Sequence, residues 1–294
     1  GTGNTTFTNV LEANNYNFTY NTTGGANWTS RNLQLNLIVN KGSPYVGAFF
    51  NHQATDISVN FPSTVEFRGN STITLTPPTF NLYIDHLSRG NGNPYSENLE
   101  LNGGTHTLKY NTTGNANWTS NTITRTLTVN KATPILNISI DYLFNDKTVT
   151  YPSSSVIQGN SSTVYGGADL SFTLFRNFFT SLGSGNASNT DTYSAGNWNF
   201  TYNTTGGANY TSRNLQINLT VSKGALSGSL STPTVTYPST ITATASESNQ
   251  GDADVAYRIY CNQITLMASQ TGSAPSGSVI LPAGSNSCVF NTTS

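Results

Sequence analysis

The sequence repeats one phrase at a regular spacing along its whole length. Tyr20, Tyr110 and Tyr202 each begin Tyr-Asn-Thr-Thr-Gly, and Phe290 begins the shorter Phe-Asn-Thr-Thr. The spacing of about ninety residues matches the size of one small β-sandwich domain, and a fixed period indicates a tandem array. The sequence therefore predicts a series of similar domains instead of one large core.

Two strands are predicted around each phrase. After the first copy, apolar side chains alternate with polar ones at Leu33, Leu35, Leu37 and Val39. A period of two predicts a strand with one buried face. The residues before each phrase alternate in the same way, and the glycines between the two runs suit a tight turn. Each phrase is therefore predicted to form the last hairpin of a domain, with its aromatic anchor facing the core.

Short junctions divide the chain into four parts, because each alternating run ends at Lys41, Lys131 or Lys223. We expect the closing strands of one unit in residues 1–40, complete units in residues 41–131 and 132–223, and a unit lacking its last strand in residues 224–294. We call these parts the leading segment, the first repeat, the second repeat and the third repeat. Proline and brevity at the first two junctions predict limited bending between units.

The predicted fold class is all-β. Each repeat contains about seven short runs separated by turn residues, and no stretch has helical periodicity. This pattern is typical of tandem immunoglobulin-like antiparallel β-sandwich domains, here with incomplete units at both ends of the sequence. One explanation of the incomplete units is that the sequence is an excerpt from a longer array. The other is strand complementation, in which the leading segment of another copy completes the third repeat and links copies head to tail.

The composition favours an extracellular protein. Only 9% of the residues are charged and the net charge is −1, so nothing directs the chain to nucleic acid or to an anionic membrane. The polar surface must come from Asn, Ser, Thr and Gly, whose solubility does not depend on ionisation. The longest apolar runs, such as Val46–Phe50, are far shorter than a membrane span.

N-linked glycans are the predicted modification. Asparagine in the motif Asn-x-Ser/Thr, the sequon, accepts such glycans in secreted proteins. Several of these asparagines follow an anchor aromatic residue, where strand alternation directs the side chain outward, and others lie in the hairpin turn. An unmodified surface asparagine is the alternative at each position. The predicted acceptors are Asn17, Asn21, Asn27, Asn70, Asn111, Asn117, Asn137, Asn160, Asn186, Asn199, Asn203, Asn209, Asn218 and Asn291.

Other reactive side chains are few. Cys261 and Cys288 are the only cysteines, and the strands that carry them are neighbours in an immunoglobulin-like sheet. A disulfide is therefore predicted, with two buried thiols as the alternative. His52, His86 and His106 stand apart from one another and from further ligands, so we expect no metal site, no cofactor and no catalytic residue.

The closing hairpin resembles a known family. Residues 104–110, the turn at residues 114–118 and the junction at residues 127–134 are similar to the bacterial Ig-like repeats of group 3 and the related MBG-type repeats of prokaryotic surface proteins. The resemblance implies stalks, adhesins or cell-envelope layers without an active site. The inserted Asn-Thr-Thr departs from relatives that run from tyrosine almost directly to Gly-Asp, and it adds a glycosylation acceptor.

These observations predict a secreted, glycosylated structural protein of a prokaryotic cell surface, not an enzyme. Such a protein builds a filament, stalk or surface layer from immunoglobulin-like units, and its expected partners are copies of itself and N-linked glycans. The rival is an adhesin or carbohydrate-binding module that presents Trp28, Trp118 or Trp198 as a platform. A third possibility is the stalk of a hydrolase whose catalytic domain lies outside this sequence.

Overall fold

The computed structural model describes residues 6–162, 165, 168–247, 253, 255–263 and 265–293. All regular secondary structure among these residues is β-strand, which confirms the predicted fold class. The leading segment forms β1 (Asn15–Thr22) and β2 (Arg31–Ile38). The first repeat forms β3 (Gly47–Phe50), β4 (Ile57–Asn60), β5 (Thr64–Asn70), β6 (Phe80–Ile84), β7 (Leu87–Asn91), β8 (Tyr95–Glu100), β9 (Gly104–Thr112) and β10 (Asn121–Asn130).

The second repeat follows the same order of strands. It forms β11 (Leu136–Ile140), β12 (Lys147–Thr150), β13 (Ser155–Ser161), β14 (Phe172–Arg176), β15 (Thr180–Ser184), β16 (Ala187–Asp191), β17 (Gly196–Thr204) and β18 (Arg213–Ser222). The third repeat forms β19 (Gly228–Ser231), β20 (Ile241–Glu247), β21 (Ala256–Cys261), β22 (Thr265–Thr271), β23 (Ser276–Val279) and β24 (Cys288–Thr293).

By its internal contacts the chain divides into two compact units. One consists of Gly1–Lys147, Ser155–Asp191 and Trp198–Leu219, and the other of Thr148–Ser154, Thr192–Asn197 and Thr220–Ser294. The leading segment and the first repeat belong wholly to the first unit, which also contains most of the second repeat. The contacts among these three parts that are described below all lie within that unit.

The first repeat is a sandwich of two sheets. Its sheets have the strand orders β3-β5-β8 and β4-β10-β9-β6-β7, and side chains from both meet in one core. Strand alternation fills that core as expected, since Phe67 of β5 and Leu108 of β9 are fully buried. One pair departs from the antiparallel prediction, because Ile57–Asn60 runs parallel to Leu127–Asn130. The second repeat has the equivalent orders β11-β13-β16 and β12-β18-β17-β14-β15.

The anchor tyrosine of each complete repeat packs against a glycine of the opposing sheet. Tyr110 contacts Gly69 and Tyr202 contacts Gly159 so closely that a Cβ on either glycine would overlap the ring. The hydroxyl of Tyr110 donates a 2.7 Å hydrogen bond to the carbonyl of Gly92, which keeps this buried polar group satisfied. Burial raises the pKa of Tyr202 to about 12. The phrase's tyrosine therefore fixes how closely the two sheets approach.

Among the described residues, turns of one kind occur twice in the first repeat, twice in the second and once in the third. The first turn residue is Asn or Asp with positive φ, and its backbone N–H and side-chain oxygen bond the carbonyl and the N–H of one residue on a neighbouring strand. Asp85 bonds Thr107 in this way, and Asp141 bonds Val156. Asn and Asp tolerate this left-handed backbone best among residues with a side chain. The other members are Asn51, Asn177 and Asn262, bonded to Glu66, Asn199 and Ser287.

The leading hairpin exposes its apolar face. Tyr20 is 61% exposed and Leu35 is 71% exposed, so the burial predicted for this face from alternation is wrong here. The equivalent residues of the second repeat, Tyr202 and Ile217, are at most 2% exposed. The difference arises because β1 and β2 form a two-stranded sheet, and no other sheet of the described residues covers its apolar face.

The third repeat contains two three-stranded sheets, β19-β20-β23 and β22-β21-β24. Phe290 of β24 stands at the anchor position, and its ring stacks on Tyr257 with centroids 5.8 Å apart. Cys261 and Cys288 lie directly opposite each other on β21 and β24 and form a disulfide, with Cα atoms 4.0 Å apart. The disulfide therefore joins the anchor strand to its neighbour in the same sheet.

Substituting Gly69 with alanine should lower the free energy of unfolding by about 1–3 kcal/mol, because the new methyl group must displace the buried Tyr110 ring. Urea unfolding of the purified chain measures this change. Gly25→Ala is the matched control, since nothing lies within 4 Å of its added Cβ. Gly104→Ala is unsuitable because φ there is +148°, which disfavours any residue with a side chain. Equal unfolding curves for Gly69→Ala and Gly25→Ala would contradict the tight contact.

The double variant Asp85→Asn, Asp141→Asn should be less sensitive to acid than the parent chain. Burial alone would raise the pKa of Asp85 and of Asp141, but their hydrogen bonds to His106 and Lys147 and to backbone N–H groups hold both pKa values below the ordinary 3.8. These carboxylates therefore contribute stability that is complete above pH 3.8 and is lost as the pH falls through the lowered values.

Asparagine keeps the acceptor oxygen, as at three equivalent native turns, but does not titrate. Urea unfolding at neutral pH and in acid should therefore show a smaller loss of stability for the double variant. A loss as large as that of the parent chain would show that these turns do not determine acid sensitivity.

Candidate interface between repeats

The turn of each closing hairpin begins with the repeated Thr-Thr-Gly. The hydroxyl oxygens of Thr112 and Thr204 accept hydrogen bonds of 3.0 and 3.2 Å from the N–H groups of Gly114 and Gly206. Both glycines have φ near +80°, and a Cβ on Gly114 would overlap the carbonyl oxygen of Trp118. The phrase is thus repeated because it encodes one turn geometry.

Hydrogen bonds join the turn to the first residues of its own repeat. Gly42 forms a parallel bridge with Trp118, through hydrogen bonds of 2.9 Å from Gly42 N to Asn117 O and from Thr119 N to Gly42 O. Lys41 adds a 2.7 Å bond from its Nζ to the carbonyl of Asn115. The junction residues therefore belong to the framework of the repeat that follows them.

The second repeat forms the equivalent hydrogen bonds. Ala132 N donates to Asn209 O and Thr211 N donates to Ala132 O, both at 2.9 Å. Lys131 Nζ donates a 2.7 Å bond to the carbonyl of Gly207. The junctions of both repeats are therefore fixed, by backbone bonds at matching positions, to the repeat that follows them.

One asparagine of each turn bonds the preceding part of the chain. The side-chain oxygen of Asn117 accepts a 2.9 Å hydrogen bond from the N–H of Ala13 in the leading segment. The side-chain oxygen of Asn209 accepts a bond of the same length from the N–H of Gly103 in the first repeat. Ala13 and Gly103 each lie just before a β-strand that leads to an anchor tyrosine. We call these two bonds the joint bonds.

Aromatic rings reinforce the joint between the first and second repeats. Phe61 of the first repeat is 5% exposed and meets Tyr210 edge to face, with centroids 5.8 Å apart. Its ring also lies 6.0 Å from that of Tyr165. The hydroxyl of Tyr165 donates a 2.8 Å bond to Glu100, and this carboxylate raises the pKa of Tyr165. Aromatic pairs of this kind stabilise packed surfaces beyond the area they bury.

The joint between the leading segment and the first repeat contains a cavity of about 370 Å³. Val39 and Asn40 line it from the leading segment, and Leu75 and Trp118 line it from the first repeat. At the other joint the counterpart of Asn40 is Asn130, whose carbonyl accepts a hydrogen bond from the N–H of Phe61. At the second joint Phe61 thus bonds this asparagine and packs on Tyr210, the counterpart of Trp118.

The tryptophans do not form a shared platform. Trp118 lies against Gly42 and donates from Nε1 to the carbonyl of Leu75, both within the first repeat, and it lines the cavity at the joint. Trp198 is half-buried, with the Arg176 guanidinium 5.4 Å from its ring centroid. Trp28 is 82% exposed. Of the three residues proposed for carbohydrate binding, only Trp28 presents a largely open ring.

The predicted glycan acceptors differ in exposure. Asn209 is only 6% exposed, because the turn that carries it packs into the joint. The half-buried acceptors are Asn70, Asn111, Asn117, Asn199 and Asn203. The exposed acceptors are Asn17, Asn21, Asn27, Asn137, Asn160, Asn186, Asn218 and Asn291. Their modification stays a prediction.

The three histidines lie in turns or on strand surfaces. His106 Nδ1 lies 2.7 Å from Asp85 Oδ2, and its Nε2 lies 2.8 Å from the carbonyl of Asn102. His52 Nε2 lies 3.3 Å from Glu66, and His86 is the second residue of the Asp85 turn. Among the described residues, no three His, Cys, Asp or Glu side chains are grouped so that they could hold a metal ion. Nor does that part of the chain contain a helix able to cross a membrane.

Comparison with known proteins gives distant structural neighbours and no family. No protein-family model matches the chain, and no curated protein matches its sequence. The fibronectin(III)-like modules of Clostridium thermocellum CbhA are 10% identical, over 60% of this chain and 94% of that chain, with a TM-score of 0.26. The three N-terminal domains of the bacteriophage RB49 Highly Immunogenic Outer Capsid protein are 13% identical, over 85% of this chain and 91% of that chain, with a TM-score of 0.29.

A β-glucuronidase of Parabacteroides merdae is also similar, with 10% identity over 60% of this chain and 25% of that chain and a TM-score of 0.24. These scores are too low to support an argument about activity. The immunoglobulin-like assignment therefore rests on the strand orders and the shared core described above.

Substituting Gly42 with alanine should destabilise the first repeat by about 1–3 kcal/mol, because the new Cβ would lie 2.7 Å from the Trp118 ring. Adding Trp118→Tyr should recover part of this loss, since the second repeat pairs Ala132 with Tyr210 at the same positions. Urea unfolding of the parent, both single variants and the double variant gives the coupling free energy. Additive effects of the two substitutions would contradict direct packing between residues 42 and 118.

Proposed function

We propose that this chain is an extracellular structural protein that holds immunoglobulin-like units in a fixed order and orientation within a stalk, filament or surface layer. The observation that carries the proposal is the recurrence of one joint. In the first compact unit both closing turns hold the start of their own repeat with the same bridge and the same lysine bond, and both hold the preceding part of the chain with the same joint bond. A chain whose units served only as separate binding modules would have no need for such repetition.

The chemistry of the surface supports the extracellular part of the proposal. A disulfide persists in oxidising surroundings, and the chain has one between Cys261 and Cys288. Eight of the predicted sequons are exposed, and few charges are present. We further propose that the repeats are of the group 3 or MBG type found in surface proteins, and that the chain has no catalytic activity.

An adhesin is the rival function, and the exposed Trp28 ring is the observation that favours it. Stacking of a sugar on an exposed aromatic ring is compatible with this position. Association between copies by strand complementation stays a prediction from the sequence, and sedimentation of the purified chain at increasing concentration tests it.

Single-molecule extension of the full chain tests the structural role. We expect the first and second repeats to unfold in separate cooperative events, each releasing about 300 Å, because roughly ninety residues extend by up to 3.3–3.6 Å each. The variant Asn209→Ala removes one joint bond and should allow extension at low force before either event. Thr211→Ala is the matched control, because it removes the same sequon but keeps the Asn209 side chain; its own loss is one 3.4 Å bond from the hydroxyl to the carbonyl of Ala132, within the second repeat.

Smooth extension without separate events would contradict the structural role. Specific binding to a glycan that is lost in Trp28→Ala would favour the adhesin instead.

A further inference from the structure

Two turns of the chain have nearly the same sequence but different surroundings. Residues 21–34 and 203–216 differ only at Trp28 and Tyr210, and each contains the same sequon in its turn, at Asn27 or Asn209. Asn27 is exposed, whereas Asn209 is 6% exposed. Local sequence cannot cause this difference, because it is almost identical in the two turns.

Contacts within its own repeat surround the Asn209 turn, including bonds from Ala208 to Asp169 and from Tyr210 to Tyr165. Docking of the neighbouring repeat then adds contacts at the asparagine itself. Gly103 of the first repeat donates its N–H to the side-chain oxygen of Asn209, and Phe61 of the same repeat packs on the adjacent Tyr210.

Asn117 is held in a similar way. Its oxygen accepts from Ala13 of the leading segment, while its Nδ2 donates a 3.1 Å bond to Thr76 of its own repeat.

N-glycosylation requires an accessible Nδ2 atom, which shares its amide group with the oxygen that the docked neighbour bonds. The side-chain nitrogen of asparagine attacks the anomeric carbon of a lipid-linked oligosaccharide. A carbon–nitrogen bond forms, the carbon–oxygen bond to the lipid pyrophosphate breaks, and the nitrogen loses one proton to a base of the transferase. The transferase must therefore surround an accessible Nδ2, and a glycan placed there would occupy the space taken by the preceding repeat.

We propose that docking between repeats decides which turn sequons accept an N-linked glycan, so that Asn27 is an acceptor while Asn117 and Asn209 are withheld. The inference rests on the proposed extracellular role and adds a rule to it. A glycan on a turn sequon marks a turn without a docked neighbour, and a docked joint keeps its asparagine unmodified.

The rate difference follows from the cost of opening the joint. Modification of Asn209 requires loss of a hydrogen bond and of an aromatic contact, so the open state should be roughly tenfold or more rarer than the docked one. Asn27 requires no such opening. We therefore expect at least about tenfold slower modification at Asn209 than at Asn27.

The test is glycosylation of the folded, purified full chain in vitro, with an oligosaccharyltransferase and a lipid-linked oligosaccharide as the probe. Mass spectrometry of peptides follows occupancy at Asn27, Asn117 and Asn209 over time. Trp28→Tyr makes residues 21–34 and 203–216 identical and removes any preference of the enzyme for the residue after asparagine. Two synthetic peptides with the parent sequences of residues 21–34 and 203–216 should be modified at similar rates, which reports any intrinsic effect of Trp28 against Tyr210.

A second variant tests the cause. Gly103→Pro removes the N–H that bonds Asn209 and should raise occupancy at Asn209 while leaving Asn27 unchanged, with circular dichroism reporting that the β-fold is retained. If that variant fails to fold, Gly103→Ala is the milder alternative, because its new Cβ would lie 2.7 Å from the carbonyl oxygen of Ala208 in the docked turn; unchanged occupancy at Asn209 in a folded variant would show that docking is not the cause.

Equal rates at Asn27 and Asn209 in the folded chain would overturn the inference but leave the proposed function intact. Absence of modification at Asn27 and at every other exposed sequon, while the peptides react, would overturn the inference and remove glycosylation from the proposed function. Modification at Asn27 with little at Asn117 and Asn209 supports both.

Discussion

Close contact between an anchor tyrosine and a facing glycine is the constraint on which each complete repeat depends. Tyr110 and Tyr202 occupy the space that a side chain at Gly69 or Gly159 would need. The contact fixes the separation of the two sheets and places the closing hairpin against the core. The ring of Phe80 stacks on Tyr110 and that of Phe172 on Tyr202, so an aromatic pair adjoins this contact in both repeats.

The closing hairpin connects the buried anchor tyrosine to the joint. Its two strands continue from the buried anchor to a turn whose shape is set by the Thr-Thr-Gly phrase and a positive φ at Gly114 or Gly206. The turn holds the first residues of its own repeat and, through Asn117 or Asn209, the preceding part of the chain. A single hairpin thus links the core of one repeat to the position of its neighbour.

Sequence periodicity was sufficient to predict the strands but not their burial. The alternation of Leu33, Leu35 and Leu37 correctly indicated β2, yet these side chains are 41–71% exposed, because burial requires a facing sheet that local sequence does not report. The disulfide between Cys261 and Cys288 followed from placing two strands as neighbours. By contrast, Asp85 had no apparent role in the sequence, since its partner Thr107 is set by strand register.

The candidate joint was missed for the same reason. Asn117 and Asn209 appeared as sequons, and nothing near them in the sequence indicates Ala13 or Gly103 as partners. The available signal was the repetition itself, because the turn, the lysine junction and the small residue before the anchor strand recur together. Long-range contacts can be inferred from one sequence only when such a pattern recurs at equivalent positions.

The central claim is that the first and second repeats are held in one orientation by the joint. Spin labels on Ser96→Cys and Ser188→Cys, two exposed positions in the two repeats, report their separation by electron–electron double resonance, while both native cysteines stay in the disulfide. The joint predicts one narrow distance distribution that broadens when Asn209→Ala is added. A broad distribution in the parent chain, unchanged by Asn209→Ala, would contradict the claim.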